Sequence, residues 1–177
     1  MQIVLGFIGV FALAAIGFLG PQAEPPTVVP TVDVERYMGT WYAVASIPTT
    51  FERDCIRGTT AEYELLENGR IRVTNTCTRE DGTQFQAVGR AWAPDPSEPS
   101  KLKVSFVSLF GLWLFAGDYW ILELDSDYEF AVVGHPKREY GWILSRTPTL
   151  PEETLDGIFD RLEDAGYDRG VFRRIEP

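Results

Sequence analysis

Gly39-Thr40-Trp41-Tyr42 and, far downstream, Trp142-Ile143-Leu144-Ser145-Arg146 are the stretches that decide the fold of this 177-residue chain. Between them lie short segments in which apolar and polar residues alternate, with almost no helical periodicity. Alternation of period two marks a strand with one buried face. Such segments cover about 40–47, 58–66, 70–78, 83–93, 101–107, 118–125, 128–134 and 140–146. Asn68-Gly69 is the strongest hairpin signal, since both residues tolerate positive φ, and Asp81-Gly82 marks the next turn. A short helical turn over 33–38 delivers the chain to Gly39. One convincing helix spans 151–165, started by Pro151 and striped by Leu155, Ile158, Phe159 and Leu162. A last short strand is expected near 171–175.

Eight antiparallel strands with short turns and one C-terminal helix predict an all-β, up-and-down barrel with the helix packed outside. An open sandwich would leave edges and would not bring Trp41 to Arg146. In a closed barrel the first and last strands are neighbours, and a guanidinium can stack on an indole there. Gly39, Trp41 and Arg146 are therefore expected to close the barrel. Eight strands leave an interior wide enough for one small ligand.

Composition sets the rest of the frame. The first thirty or so residues stand apart, which leaves about 145 for one domain (33–177). A net charge of −10 argues against a nucleic-acid partner. Residues 3–20 form an uncharged apolar run, long for a signal-peptide core and barely long enough to span a bilayer. Residues 1–20 thus read as either a cleaved signal or a retained membrane anchor, and both export the domain. Residues 21–32 carry Pro21, Pro25, Pro26 and Pro30 and read as a stiff, extended linker that holds the domain a short distance off a membrane. In an exported chain Cys55 and Cys77 are expected to pair as a disulfide, with two buried free thiols as the alternative. Two Cys and a single His (His135) cannot fill a zinc site without carboxylates.

If the first strand starts at the closed end, the turns at 67–69 and 125–128 lie at the base. Residues 48–57, 79–82, 108–117 and 135–139 then ring the mouth, which brings Cys55 and Cys77 together there. Period-two parity points Ala43, Ala45, Ile47, Ala61, Tyr63, Leu65, Ile71, Val73, Asn75, Phe85, Ala87, Gly89, Leu102, Val104, Phe106, Tyr140, Trp142 and Leu144 inward. Tyr119 and Ile121 follow, on a parity that also turns Glu123 inward. The candidate ligand-binding residues are Phe51, Tyr63, Asn75, Phe85, Phe106, Tyr119, Tyr140 and Trp142, an apolar lining with a few polar tips. The alternative is that these residues fill a solid core. Leu112, Trp113, Leu114 and Phe115 belong to an apolar loop at the mouth. It contacts a membrane, folds back as a lid, or forms a homodimer interface. Arg53 and Arg90 are read first as solvated, and second as contacts for an anionic head group. His135 is read first as structural or solvated, and second as a ligand contact.

These residues carry a resemblance. Gly39-Thr40-Trp41-Tyr42, Asp125-Ser126-Asp127-Tyr128 and Arg146 resemble the three conserved regions of the lipocalins. Phe51-Glu52-Arg53, Thr60-Ala61-Glu62-Tyr63, Val104-Ser105-Phe106 and residues 140–148 (YGWILSRTP) are similar to the bacterial lipocalins, the branch related to apolipoprotein D. The resemblance covers residues 33 to the C-terminus, and Cys55 and Cys77 match the disulfide of one group within that branch. It implies a non-catalytic binder of fatty acids or lysophospholipids, periplasmic and serving envelope maintenance or stress. Many such relatives are lipidated on the cysteine of a Leu-x-Gly-Cys motif. Here the corresponding stretch is Phe18-Leu19-Gly20-Pro21, and proline cannot be acylated, so any membrane link would be the apolar run itself. An enzyme would need a nucleophile with its base, a metal site or a cofactor motif, and none is visible. No cofactor is expected. The functions that compete with lipid carriage are a protein-interaction module built on the apolar loop and, further off, a lipocalin-type enzyme.

Overall fold

The computed structural model describes residues 24–50 and 54–177. A one-turn helix α1 (Val34–Tyr37) precedes β1 (Gly39–Ser46), β2 (Cys55–Leu65), β3 (Ile71–Arg79), β4 (Gln84–Trp92) and β5 (Lys101–Ser105). The short β6 (Val107–Leu109) and β7 (Leu112–Leu114) come next, then β8 (Gly117–Leu124), β9 (Phe130–Gly134) and β10 (Gly141–Ser145). Helix α2 (Glu152–Asp164) and a two-residue strand β11 (Arg173–Arg174) end the chain. The sheet order is β10-β9-β8-β5-β4-β3-β2-β1-β11, and a further β10–β1 pairing closes it into an eight-stranded antiparallel barrel. Where one strand and a loop were expected after Ser105, β6 and β7 form a separate hairpin.

Two apolar cores result. One fills the lower barrel with Trp41, Ala43, Ala61, Tyr63, Ile71, Val73, Ala91, Leu102, Tyr119 and Ile121. The other lies outside the wall, where Val44, Val132 and Ile143 meet the α2 stripe Leu155, Ile158, Phe159 and Leu162. Arg146 seals the base with its Cζ 3.9 Å from the Trp41 ring, and it donates to the carbonyls of Thr40 (2.9 Å) and Arg36 (2.6 Å).

Two β-bulges correct the parity reading. In β1 the register against β10 shifts between Ala43 and Ala45, so Ala45 joins Val44 against α2, Ile47 also packs there, and Ser46 takes the inward position opposite Trp142. In β8 the register shifts between Ile121 and Glu123. That extra residue lets Tyr119 and Ile121 face inward while Glu123 faces out, bidentate to Arg161 of α2. A bulge reverses the face of every residue beyond it, and simple alternation does not register the shift. Leu65, expected inward, ends β2 below the floor and is 42% exposed.

The described part of the proline-rich segment, read from composition as a stiff, extended linker, lies along the barrel. Pro26 is buried, the Val29 amide donates to Ile121 O (3.0 Å), and Val29 and Val32 pack on the barrel core. An extended segment with few amide donors is suited to lining a wall as well as to spanning water.

Candidate functional site

The barrel floor is a chain of phenols. Tyr119 Oη lies 2.8 Å from Tyr37 Oη and 2.9 Å from Tyr63 Oη, and all three rings are buried. Desolvation pushes the Tyr63 hydroxyl up to about 12, against a smaller opposing effect of its bond to Tyr119. Tyr37 and Tyr119 are raised well above the usual range for the same first reason. The floor is thus neutral, closed and internally satisfied. Tyr63 and Tyr119, expected to touch ligand, form the bottom of the site.

From the floor upward the inward positions change character. Ile71, Val73, Ala91 and Leu102 are buried, whereas Asn75, Phe85, Ala87, Val104, Phe106 and Trp142 face inward and remain half-buried. The inward wall of the upper barrel thus keeps accessible surface. Small residues keep it so, since Asn75 sits between Ala61 and Ala87 in the ladder. Asn75 Oδ1 is buried without a protein hydrogen-bond partner, a polar point in an apolar wall. Gly89 makes room for Phe106, because a Cβ there would lie 2.7 Å from the Phe106 ring.

The mouth carries the remaining candidates. Tyr140 is exposed and stacks on Trp142 (centroids 6.2 Å apart, planes at 23°), and His135 meets the edge of Tyr140 at 5.3 Å. His135 Nδ1 accepts from the Lys137 amide, which supports its structural role in the turn. Cys55 and Cys77 form a disulfide between the upper ends of β2 and β3, with Cα atoms 5.6 Å apart. Phe51 and Arg53 lie outside the described residues. The sequence reading missed Ser46, which the β1 bulge turns inward.

The β6–β7 hairpin is the most exposed apolar element. Phe110 is 96% and Phe115 88% exposed, with Leu109 and Leu112 also exposed. Phe110 (φ 50°) and Gly111 (φ 81°) make a two-residue turn with both residues left-handed. That geometry favours Asn or Gly, so a Phe at its first position is held against its backbone preference. Trp113 and Leu114 are half-buried. Trp113 covers Arg90 at 5.4 Å, and the Ser105 hydroxyl donates to Leu114 O. Arg90 pairs with Arg72 and Ser105 on the outer face, so the hairpin leans on the outside wall and is not folded in as a lid. The Arg90 Nε and Nη1 are buried under it without hydrogen-bond partners. Among the described residues no cluster of His, Cys, Asp and Glu side chains is arranged to hold a metal.

Comparison with known proteins agrees with this architecture. Residues 32–177 match the family model of a lipocalin-like domain. Temperature-induced lipocalin-1 of Arabidopsis thaliana is 41% identical over 144 residues, covering 80% of this chain and 77% of that protein. Apolipoprotein D of Rattus norvegicus is 42% identical over 146 residues (77% and 72% covered). The outer membrane lipoprotein Blc of Escherichia coli K12 is 38% identical over 168 residues, 91% of this chain and 92% of that protein. Among solved structures, insecticyanin from the tobacco hornworm superposes with a TM-score of 0.66 at 23% identity, over 89% of this chain and 85% of that one. With its closed eight-stranded barrel, its Trp41–Arg146 base and these relatives, the chain belongs to the lipocalin family, on the side of the bacterial Blc proteins and apolipoprotein D.

Proposed function

We propose that this protein is a non-catalytic carrier of single-chain lipids, fatty acids or lysophospholipids, in the bacterial cell envelope. The observation that carries the reading is the half-buried inward wall above a sealed tyrosine floor. Asn75, Phe85, Phe106, Tyr140 and Trp142 would contact the ligand, with Phe51 at the rim. At about 0.8 kcal/mol per buried CH₂, a 16-carbon chain offers on the order of 12 kcal/mol gross, enough for micromolar binding after ordering costs. The relatives named above, two of them called lipoproteins or apolipoproteins, support a lipid cargo, and the disulfide supports an exported location. With Pro21 in place of a lipidated cysteine, any attachment falls to the apolar run at residues 3–20.

Native mass spectrometry of protein purified without detergent tests this. A stoichiometric, exchangeable lipid adduct is expected. A clean protein that takes up no added fatty acid or lysophospholipid would sink the carrier. The exposed Phe110 and Phe115 favour a second role for the hairpin, as a contact for a membrane surface. If it instead serves an envelope protein partner, lipid vesicles will not retain the domain.

A further inference from the structure

The path of residues 24–33 along the barrel fixes where the rest of the N-terminus must leave. Asp33 sits at the base, its amide donating to the Tyr128 hydroxyl of the β8–β9 turn. From there the chain is traced backwards up the wall, past Val29 on β8, to Glu24. Glu24 is held at the other end. Arg138, in the β9–β10 turn at the mouth, donates from Nη2 to Glu24 O (2.8 Å) and from Nε to Ala165 O (2.7 Å) at the end of α2. Gly166, with φ 85°, accommodates this clasp, since a Cβ there would lie 2.9 Å from Arg138 Nε. One arginine thus ties the mouth turn, the helix end and the strap together.

We infer that a lipid bilayer is the surface that the open end of the barrel rests on, held there by the chain's own apolar run. Residues 3–20 lie outside the described part, but Gly20 is only four residues from Glu24 and so within about 14 Å of it at full stretch. A bilayer that holds the run therefore lies within reach of the mouth turn. The same end presents Phe110, Phe115 and Leu112, whose exposed rings and side chain suit an acyl-chain boundary. Residues 109–115 carry no charge, so the contact they offer is apolar. A carrier so placed receives its lipid without the cargo crossing water. The inference rests on the membrane contact proposed above for the hairpin but not on the nature of the cargo.

Hydrogen exchange of the full chain in phosphatidylcholine vesicles tests it. Exchange should slow roughly fivefold or more in residues 107–115 and 135–140, and stay unchanged in the base turns at 66–70 and 125–129. Slowing at the base, at both ends equally, or at neither would overturn the orientation. Inserting about twelve Gly/Ser residues between Ala23 and Glu24 adds roughly 20 Å of flexible reach. Protection at 135–140 should then fall at least threefold; unchanged protection would overturn the role of the tether. An intact mass of the protein from its own membrane that shows residues 1–20 removed would also overturn it. A lipid-free result in native mass spectrometry alters none of these outcomes, so the carrier and the orientation fail separately.

Discussion

Arg146 joins the last strand to the first through three contacts: the Trp41 ring and two carbonyls just before it. Charge-assisted hydrogen bonds of this kind are worth about 1.5–3 kcal/mol each when desolvated, and less where water competes. Arg146→Ala should therefore cost about 2–3 kcal/mol, lowering Tm by roughly 4–12 °C in a calorimetric scan. Arg146→Lys should recover little, because an ammonium cannot fork between Thr40 O and Arg36 O while stacking on the indole. Full recovery by Lys would show that charge alone closes the base. The tyrosine floor answers to pH instead. Burial raises the Tyr63 hydroxyl to about 12 and holds Tyr37 and Tyr119 well above their ordinary value, whereas in the unfolded chain each ionises near 10. Their neutral forms stabilise the fold fully below pH 10, and that contribution is lost as pH rises from about 10 through 12. Thermal scans should show a steep fall in Tm over that window, coincident with tyrosinate absorbance at 295 nm. A 295 nm signal that reaches the full value for all seven tyrosines near pH 10, with no loss of fold, would contradict the sealed floor.

At the level of elements, what could be read in the sequence depended on how locally each feature is encoded. The turn at Asn68-Gly69, the α2 stripe and the eight alternating segments are written in neighbouring residues, and the structure contains all of them. The Trp41–Arg146 contact was legible because barrel closure makes distant ends adjacent. The two bulges were not, since no residue near Val44 or Leu122 announces an extra position. Their effect was to move Ala45, Ile47 and Glu123 to the helix side. The β6–β7 hairpin was half legible: its apolar content stood out, but Phe110-Gly111 lacks the Asn-Gly or Asp-Gly pair that signals a type I′ turn. That departure separates stability from contact. Phe110→Asn puts a residue that tolerates left-handed φ at the first turn position and should stabilise the hairpin by about 0.5–1 kcal/mol, or at least leave Tm unchanged. The same change removes a ring that is 96% exposed, so vesicle binding should weaken roughly tenfold or more. Binding that survives the substitution would remove Phe110 from the contact surface.

For the whole molecule, the two ends of the barrel are held by different means. The base has α1, the buried Trp41, the phenol chain and the Arg146 clasp, all within one packed cluster. The mouth has a half-buried wall, and its hold on β2 and β3 is covalent, through Cys55 and Cys77. The bridge closes a loop with a sequence separation of 22. In the chain-entropy model that is worth about 3 kcal/mol, which corresponds to a Tm drop of roughly 6–12 °C on reduction. The loss should not be uniform. Reduction leaves the floor contacts in place, so the alkaline window of the tyrosines should stay where it is while exchange in the upper halves of β2 and β3 quickens. Ligand retention should fall with it, because Phe85 lies opposite Cys77 in the ladder and both face the interior. Reduced protein with an unshifted Tm and an unchanged hold on lipid would mean that the β2–β3 ladder alone keeps the mouth in shape.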